Sequence, residues 1–361
     1  MNIVPIGRIL GSTRLAMPTA DHILSYAEDL RGGGVERAQL RLIRAWIAAG
    51  RHVTLLLGSD AGPLAAELPP GVAVVTGMTW RTLPGMVRDA APDIIFCPGN
   101  HYTGLAAWTR LRLGAACPPI VGKMSNAPVR GDHGRAMRRV HAAWLATHGL
   151  FLDHLVAMTP NTAAQAAAAL RMTGRVSVIP NPPAAAIAGS AQPALPDRYI
   201  LGVGRLEPQK RWDRLIAAMP ALAAPIPLVI LGEGTARSAL TAHVAALGLG
   251  DRVHLLGHVA DPFPAMAGAA VLALTSDFEG VPGVLREALS VGTPVVSTAS
   301  SRAVAEIVED AALGTIVPLE DRRALVAALD HWLVTPRPVP VPQPGADSAA
   351  SYLALFDRLV S

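Results

Sequence analysis

The sequence predicts an α/β protein of two domains, each built on a parallel sheet with crossover helices. Short apolar runs of strand length alternate along the chain with helical runs rich in Ala and Leu. A repeated strand-helix-strand pattern is typical of parallel sheets. The chain has 361 residues, of which 51% are hydrophobic and 16% are charged, so it can fill two buried cores.

Two series of predicted strands are separated by a segment rich in proline. The first series is HILSYA (22–27), HVTLLL (52–57), VAVVTG (72–77), DIIFCP (93–98), PIVGKM (119–124) and HLVAMT (154–159). The second is YILGVG (199–204), PLVILG (227–232), RVHLLG (252–257), AVLALT (270–275), TPVVST (293–298) and GTIVPL (314–319). A hinge is expected between residue 175 and Pro196.

These patterns divide the chain into three parts. Residues 1–183 are predicted to form the first domain, and residues 184–335 the second. Residues 336–361 are predicted to cross back and dock a final amphipathic helix on the first domain. The stretch TPRPVPVPQPG at 335–345 is expected to be extended, because proline fixes φ and removes a hydrogen-bond donor.

Composition excludes several function classes. The net charge is +4, but the sequence has no Lys/Arg run and no aromatics interleaved with basic residues, so no nucleic-acid partner is expected. Two cysteines are too few for a disulfide scaffold or a four-ligand zinc site, and residues 1–20 lack the continuous apolar core of a secretory signal. These features predict a cytoplasmic location. Residues 215–232 are uncharged but contain three prolines, so helix, turn and buried strand are expected there rather than a membrane span.

The most informative motif is EGVPGVLREALSVGTPVV at residues 279–296. It follows the predicted strand 270–275, and its two glutamates, Glu279 and Glu287, flank a Gly/Pro turn that opens a helix. The start of a helix offers N–H groups and a positive dipole end to a phosphate. A carboxylate within the helix can accept hydrogen bonds from ribose hydroxyls. Taken alone, the same pattern also fits an ordinary loop with one surface glutamate.

Two further loops have the composition of phosphate sites. In GVGRLEPQKR (202–211), Arg205 and Lys210 lie five residues apart after a strand, where two cations can neutralise a diphosphate. In RGGGVER (31–37), glycines allow the backbone to approach a ligand closely. Each loop alone is more simply a solvated strand end or a permissive turn. All three follow strands, and the carboxyl edges of open α/β sheets are where ligands bind.

The order of these motifs resembles that of the retaining GT-B glycosyltransferases, and more narrowly the group called family 4 (group 1). The resemblance rests on GGGVER (32–37), VIPNP (178–182), GVGRLEPQKRWD (202–213), VILGEG (229–234), RVHLLGHV (252–259) and residues 279–296. It implies two Rossmann-like domains facing each other across a cleft. It also implies a metal-independent hexosyltransferase that moves a sugar, with retention, from a nucleoside-diphosphate-sugar to an acceptor hydroxyl, without a cofactor.

The resemblance implies roles for residues that match the motifs. Arg205 and Lys210 are expected to hold the diphosphate and stabilise the leaving group, and Glu279 to contact the transferred sugar. Glu287 is expected to bind the ribose. The donor-binding positions it implies are Gly33, Gly34, Val259, Gly280, Val281, Val284, Leu285 and Glu287. No metal site is expected.

The acceptor side departs from the family pattern. Family members often carry a histidine after a middle strand of the first domain, whereas the matching stretch VGKMSNAPVRGDHG (121–134) has Ser125 and Asn126 there. Candidate replacements are His101, Asn126 and His133. A lone histidine is more often structural, so the alternative of no replacement stays open.

The acceptor is expected to be a glycan or a lipid-linked glycan of cell-envelope or exopolysaccharide assembly. Residues 130–148 read as a basic amphipathic helix, which can rest on an anionic membrane at its inner face or simply pack its apolar side into the core. Two other functions stay open at this point. One is a non-catalytic subunit that binds a sugar nucleotide, and the other is a nucleotide-sugar epimerase on the same architecture.

Overall fold

The computed structural model describes residues 19–31, 33–126, 134–187 and 189–361. Within these ranges the chain forms two parallel sheets, of seven and six strands, each packed against helices. Every strand pair in both sheets is parallel. The predicted α/β fold class with parallel sheets is confirmed.

The first sheet contains all the strands predicted before the hinge. Its strands are β1 (His22–Ala27), β2 (His52–Leu57), β3 (Ala73–Val75), β4 (Ile94–Cys97), β5 (Ile120–Met124), β6 (His154–Ala157) and β7 (Val176–Val178). Their spatial order is β3-β2-β1-β4-β5-β6-β7. The sequence did not separate β7 from the hinge, because its three residues run directly into Ile179 and Pro180.

The second sheet contains the strands predicted after the hinge. They are β8 (Ile200–Val203), β9 (Leu228–Leu231), β10 (Val253–Gly257), β11 (Val271–Leu274), β12 (Val295–Thr298) and β13 (Gly314–Val317). Their order is β10-β9-β8-β11-β12-β13. Residues 179–199 link the two sheets, and the boundary that the sequence places after residue 183 falls in this segment.

Helices alternate with these strands. Those of the first half are α1 (Gly34–Ala48), α2 (Leu83–Ala90), α3 (Thr103–Leu113), α4 (Arg135–Ala146) and α5 (Pro160–Ala169). Those that follow are α6 (Trp212–Ala218), α7 (Arg237–Ala246), α8 (Phe263–Gly268), α9 (Gly283–Ser290), α10 (Arg302–Ile307), α11 (Arg322–Val334) and α12 (Ser348–Val360).

Strand order reverses once in each sheet. In the first sheet β2 lies on one side of β1 and β4 on the other, so the order reverses between β1 and β4. In the second sheet the order reverses in the same way between β8 and β11. Ligands of open α/β folds bind beyond the carboxyl ends of strands at such switch points. The glycine loop follows β1, the Arg205 loop follows β8 and the Glu279 loop follows β11. Three predicted motifs therefore lie at two switch points.

The last helix belongs to the core of the first sheet. Tyr352 and Phe356 of α12 are buried against Trp46 of α1 and Phe96 of β4, with ring centroids 5.3 Å apart for Trp46–Phe96, Trp46–Phe356 and Phe96–Tyr352. Aromatic rings at this spacing in edge-on geometry stabilise beyond the area that they bury. The chain thus crosses back from the second sheet, through residues 335–345 without helix or strand, to close the first.

Other expectations from composition have clear outcomes. Residues 215–232 contain the end of α6, a turn and the buried strand β9, so the predicted interruption of this apolar stretch is confirmed. Among the described helices, none is both long enough and apolar enough to cross a membrane. Cys97 and Cys117 are buried thiols without a disulfide, and burial raises the pKa of Cys97 to about 11.

Candidate active site

Two loops of the second domain bring together the most polar part of the site. Lys210 ends a short turn after β8, and Glu279 lies in the loop between β11 and α9. The Lys210 Nζ donates to Glu279 Oε1 at 2.6 Å, and Ser276 Oγ donates to the same oxygen at 2.6 Å. Only 16% of the Lys210 side chain and 10% of the Glu279 side chain are exposed. Such a shielded pair holds both charges in fixed positions at the sheet edge.

Arg205 presents a cation at the same edge. The residue is exposed, and its guanidinium makes no hydrogen bond or ion pair with any residue in the described ranges. Its backbone is fixed, because the carbonyl accepts from Trp212 Nε1 at 3.0 Å. A guanidinium without a protein partner, on a backbone held in place, is suited to bind an anionic ligand.

The helix α9 begins at the turn for which the sequence predicts phosphate contacts. It runs over Gly283–Ser290 and lacks a side-chain cap, so N–H groups of its first turn face outward. The Leu285 amide already donates to the Pro282 carbonyl at 3.2 Å, and the Leu285 side chain is buried in the core. Of the two predicted amide donors, Val284 therefore stays a candidate through its backbone, while Leu285 contributes mainly to packing.

Gly280 and Val281 form the contact between this loop and the first domain. A Cβ on Gly280 would collide with the backbone of Ser125 and Asn126, so only glycine fits there. Ser301 Oγ donates to the Gly280 carbonyl at 2.8 Å, and Val281 packs against the second core. Val259, after β10, also packs against that core. The donor loop and the first domain therefore touch directly at Gly280.

Glu287 points from the first turns of α9 towards arginines of the first domain. Its carboxylate has no hydrogen-bond partner among the residues that the structure describes. Burial raises the pKa of Glu287, and the charges of Arg41 and Arg37 on α1 oppose that rise. A partly desolvated carboxylate with vacant acceptor positions can accept hydrogen bonds from a diol.

The glycine loop of the first domain lies at the start of α1. A Cβ on Gly34 would meet nothing within 4 Å, so there is space in front of it. A Cβ on Gly33 would lie 2.5 Å from Glu36 Oε2, because the Glu36 side chain folds back over the loop. The two predicted glycines thus border an open space, with a carboxylate beside it.

His101 stands in the loop after β4 and faces the cleft. Its Nε2 lies 3.8 Å from Glu36 Oε1, and its ring centroid lies 3.9 Å from that of Tyr102. Tyr102 in turn donates to Glu36 Oε1 at 3.4 Å. Burial lowers the pKa of His101. The charge of Glu36 raises this pKa, whereas the charge of Arg205, from the other domain, lowers it further. Of the two acceptor-side candidates that the structure describes, His101 is the one that lies beside a carboxylate.

The other two acceptor-side candidates have different outcomes. Asn126 follows β5 and is exposed; its amide donates to Asn100 Oδ1 at 3.1 Å, as does that of Ser125 at 2.6 Å. Its side chain is therefore presented beside the Gly280 loop by a fixed backbone. His133 lies outside the described residues.

Sequence reasoning assigned no role to Glu36 or Lys123. Glu36 was inside the quoted glycine motif, but only the fold brings it to His101. Lys123 lies on β5 with 2% exposure, and burial, with the charge of Arg41, lowers its pKa to about 7. Its signal in the sequence was a lone charge in the apolar run PIVGKM of a chain with two lysines. Among the described residues, no cluster of three or more His, Cys, Asp or Glu side chains is arranged to hold a metal.

Helix α4 carries an exposed apolar row. Met137, Val140 and Trp144 are 55%, 65% and 38% exposed, and Leu150 beyond the helix is 82% exposed. Of the apolar residues expected on this face, Leu145 is buried. The simpler expectation, that the apolar side of this helix packs into the core, is therefore wrong for most of its length. Apolar groups at i, i+3 and i+7 form one continuous stripe.

Comparison with known protein families follows the two domains. A model of Glycosyltransferase Family 4 matches residues 32–182, and a model of Glycosyl transferases group 1 matches residues 197–334. Both halves of the chain therefore match glycosyltransferase family models, and together the two matches support a group 1 glycosyltransferase. The first matched range contains β2 to β7 and the second contains β8 to β13, and together they include the site residues described above.

Curated relatives are similar over part of their length. The N-acetylgalactosamine-N,N'-diacetylbacillosaminyl-diphospho-undecaprenol 4-alpha-N-acetylgalactosaminyltransferase of Campylobacter jejuni is 36% identical over 140 residues, which is 39% of this chain and 38% of that protein. The lipopolysaccharide core biosynthesis glycosyltransferase LpsE of Rhizobium meliloti is 30% identical over 132 residues, 37% of this chain and 38% of that protein. The matched regions span well under two thirds of these relatives.

Solved structures share the fold over nearly the whole chain. HepE of Anabaena, in complex with UDP and glucose, has a TM-score of 0.70 at 18% identity and covers 94% of this chain and 95% of its own. The lipopolysaccharide outer core galactosyltransferase WaaB has a TM-score of 0.63 at 20% identity, covering 94% and 97%. At these identities the likeness concerns architecture, and the predicted GT-B fold is confirmed.

Proposed function

We propose that this glycosyltransferase moves a hexosyl group from a nucleoside-diphosphate-sugar to an acceptor hydroxyl with retention of anomeric configuration. The observation that carries the proposal is the pair of loops after β8 and β11. The Lys210 ammonium lies against the Glu279 carboxylate, Arg205 is exposed in the loop after β8, and Glu287 follows within α9. Two cations for a diphosphate and two carboxylates for sugar hydroxyls match the chemical groups of such a donor.

The donor is proposed to lie along the edge of the second sheet. Arg205, exposed and without a described partner, binds the diphosphate together with Lys210 and the outward N–H groups of α9. Glu287 accepts hydrogen bonds from the ribose hydroxyls. Glu279 keeps one oxygen on Lys210 and Ser276, so its second oxygen is available to a hydroxyl of the transferred sugar.

The same residues supply the catalysis that the reaction needs. The bond from C1 of the sugar to the diphosphate oxygen breaks with oxocarbenium character, and negative charge develops on the leaving diphosphate. Cations already placed at that diphosphate stabilise the charge without reorganisation, a contribution of several kcal/mol in shielded sites. The proposed reaction uses these side chains in place of a divalent metal, and the chelator test below examines that part separately.

The first domain is proposed to bind the acceptor. His101 has a lowered pKa, so its imidazole is neutral near pH 7 and one ring nitrogen can accept a hydrogen bond from the acceptor hydroxyl. Glu36 lies beside it and orients the ring. Retention in a single displacement, without an enzyme nucleophile, requires the acceptor to approach from the face that the diphosphate leaves. The charge of Arg205 contributes to the lowered pKa of His101.

A donor panel tests this proposal. Unfolding is followed with UDP-glucose, UDP-galactose, UDP-N-acetylglucosamine, UDP-N-acetylgalactosamine and GDP-mannose. A donor at a hundred times its Kd stabilises the folded protein by about 2.7 kcal/mol. We expect one donor class to raise the Tm of the wild-type protein, and Glu287→Ala to abolish that rise. No shift with any of the five, or equal shifts in both proteins, would contradict the donor site.

We further propose that the acceptor is lipid-linked and that α4 docks the enzyme on the inner face of an anionic membrane. The exposed stripe of Met137, Val140 and Trp144 supplies apolar contact, and Arg138 and Arg139 on the same helix are exposed. An amphipathic basic helix of this kind lies in the interface of anionic lipids. The relative from Campylobacter acts, by its name, on a diphospho-undecaprenol, which is such an acceptor.

Vesicle sedimentation tests the membrane proposal. The wild-type protein should pellet with phosphatidylglycerol vesicles at low salt and be released at high salt, because salt screens the attraction. Replacing Arg135, Arg138 and Arg139 with Gln should prevent pelleting. A matched variant with Gln at the exposed Arg322 and Arg323 of α11 should pellet normally. Wild-type protein that stays in the supernatant at low salt would favour an acceptor in solution.

A further inference from the structure

Arg211, directly after Lys210, has a backbone conformation that a residue other than glycine rarely adopts. Its φ and ψ are 50° and 44°, in the left-handed region. A side chain with a Cβ costs free energy there, so surrounding contacts must hold it. The turn Pro208–Lys210 ends at this residue, and α6 begins immediately after it. The conformation of Arg211 therefore sets the direction in which the chain passes from the turn that ends at Lys210 into α6.

The guanidinium of Arg211 bridges two aspartates on different loops. Its Nε donates to Asp213 Oδ1 at 3.1 Å, and its Nη1 donates to Asp277 Oδ1 at 3.1 Å and Oδ2 at 3.2 Å. The hydrogen bonds that Arg211 donates to Asp213 are the main cause that raises the pKa of Arg211. Asp277 lies two residues before Glu279. The bridge thus joins the loop of Lys210 to the loop of Glu279.

Three hydrogen bonds to backbone carbonyls lie beside this bridge. The Asp277 amide donates to the Gln209 carbonyl at 2.9 Å, and Gln209 Nε2 donates to the Phe278 carbonyl at 2.7 Å. Thr275 Oγ1 donates to the Arg211 carbonyl at 3.0 Å. Each bond joins a residue near Lys210 to one near Glu279. The two loops are therefore joined by several hydrogen bonds in addition to the Lys210–Glu279 ion pair.

We infer that Arg211 is a positioning residue for the donor site, acting through Lys210. Its left-handed backbone and its hydrogen bonds to Asp277 keep the Lys210 ammonium at the place where the leaving diphosphate develops charge. A small displacement of a preplaced cation lowers turnover more than ground-state binding, because the cation matters most in the transition state. This inference rests on the proposed function, in which Lys210 stabilises the leaving group.

A double-mutant cycle on turnover tests the inference. Arg211→Gly removes the bridge while glycine still permits the left-handed backbone, so this variant should fold. We expect its kcat to fall about tenfold, equivalent to roughly 1.4 kcal/mol, with little change in KM for the donor that the wild type consumes. In a Lys210→Met background, Arg211→Gly should cost no more than about twofold, because its effect passes through Lys210. Arg211→Lys, which keeps the charge without the planar fork, should lie between wild type and Arg211→Gly.

Arg51 provides the matched control, because it also bridges two aspartates, Asp21 at 3.1 Å and Asp357 at 2.9 Å. It lies at the amino end of the first sheet, away from the cleft. Arg51→Ala should lower Tm and leave kcat unchanged. A wild-type kcat in Arg211→Gly, or a full tenfold loss repeated in the Lys210→Met background, would overturn the positioning role while leaving the proposed function intact. A wild-type kcat in Lys210→Met itself would overturn both.

Discussion

The Lys210–Glu279 pair has a structural and a catalytic role, and replacing its members separates the two. In Lys210→Met the Glu279 carboxylate, 10% exposed, keeps Ser276 as a donor but loses its cation. Breaking a buried pair from one side costs about 3–5 kcal/mol. We take the lower figure, about 3 kcal/mol, because the Ser276 hydrogen bond remains. For a domain of this size that lowers Tm by roughly 6–12 °C.

The catalytic loss is expected to be of similar size but different in origin. Without the Lys210 ammonium, the leaving diphosphate loses one preplaced cation, and kcat should fall at least about a hundredfold, or about 2.7 kcal/mol. The double variant Lys210→Met, Glu279→Gln removes both charges and leaves no uncompensated ion. It should regain most of the lost Tm, since replacing both partners of a buried pair is often nearly neutral. It should regain none of the turnover.

Differential scanning fluorimetry and nucleoside diphosphate release measure these two effects on the same protein samples. If the double variant recovered turnover along with Tm, Lys210 would act through stability alone. A single variant with kcat within a few-fold of wild type at saturating donor would show that the cation does not meet the leaving group.

Four further predictions concern the other site residues, the effect of a chelator and the buried Lys123. Glu287→Ala should raise the donor Kd with a smaller effect on kcat, whereas Glu279→Ala should lower kcat more than affinity; equal mild effects on kcat/KM would contradict the assignment. Arg205→Ala should cost at least about a hundredfold in kcat. EDTA should leave activity intact, and loss of activity with rescue by magnesium would refute the metal-free mechanism. Burial lowers the pKa of Lys123 to about 7 in the folded protein, below its value in the unfolded chain. Between pH 7 and 10 the unfolded state therefore binds more protons, so the free energy of unfolding should rise with pH in that window. Lys123→Met should remove a slope of about 1.4 kcal/mol per pH unit, measured as the difference from wild type in urea unfolding between pH 7 and 9.

The sheets could be predicted from the sequence because their strands are short apolar runs between turn residues. Buried parallel strands are apolar on both faces, and this leaves a clear local signal. The placement of the motifs at the carboxyl ends of the sheets could also be predicted, because each motif comes directly after a strand, whereas the switch points required the observed strand order. Strand β7 was missed as a separate element, since three residues before a proline carry little signal.

The side-chain geometry could not be predicted, because it depends on residues far apart in the chain. His101 and Glu36 are 65 positions apart in sequence numbering, and only the pairing of β1 with β4 brings their loops together. The left-handed backbone at position 211 could not be predicted either, because the residue there is an arginine and not a glycine or asparagine. The exposure of Met137 and Val140 on α4 was not predictable either, because an amphipathic pattern identifies an apolar face without showing what covers it.

The central claim is that the cleft transfers a sugar from a nucleotide donor, and release of nucleoside diphosphate tests it most directly. Purified wild-type protein and Lys210→Met are each supplied with the five donors, with and without a cell-envelope extract as acceptor source. The account predicts that the wild type releases UDP or GDP from one donor, that release depends on the extract, and that Lys210→Met reduces it at least about a hundredfold. Release at the same rate from both proteins, or none from any donor with the extract present, would contradict it.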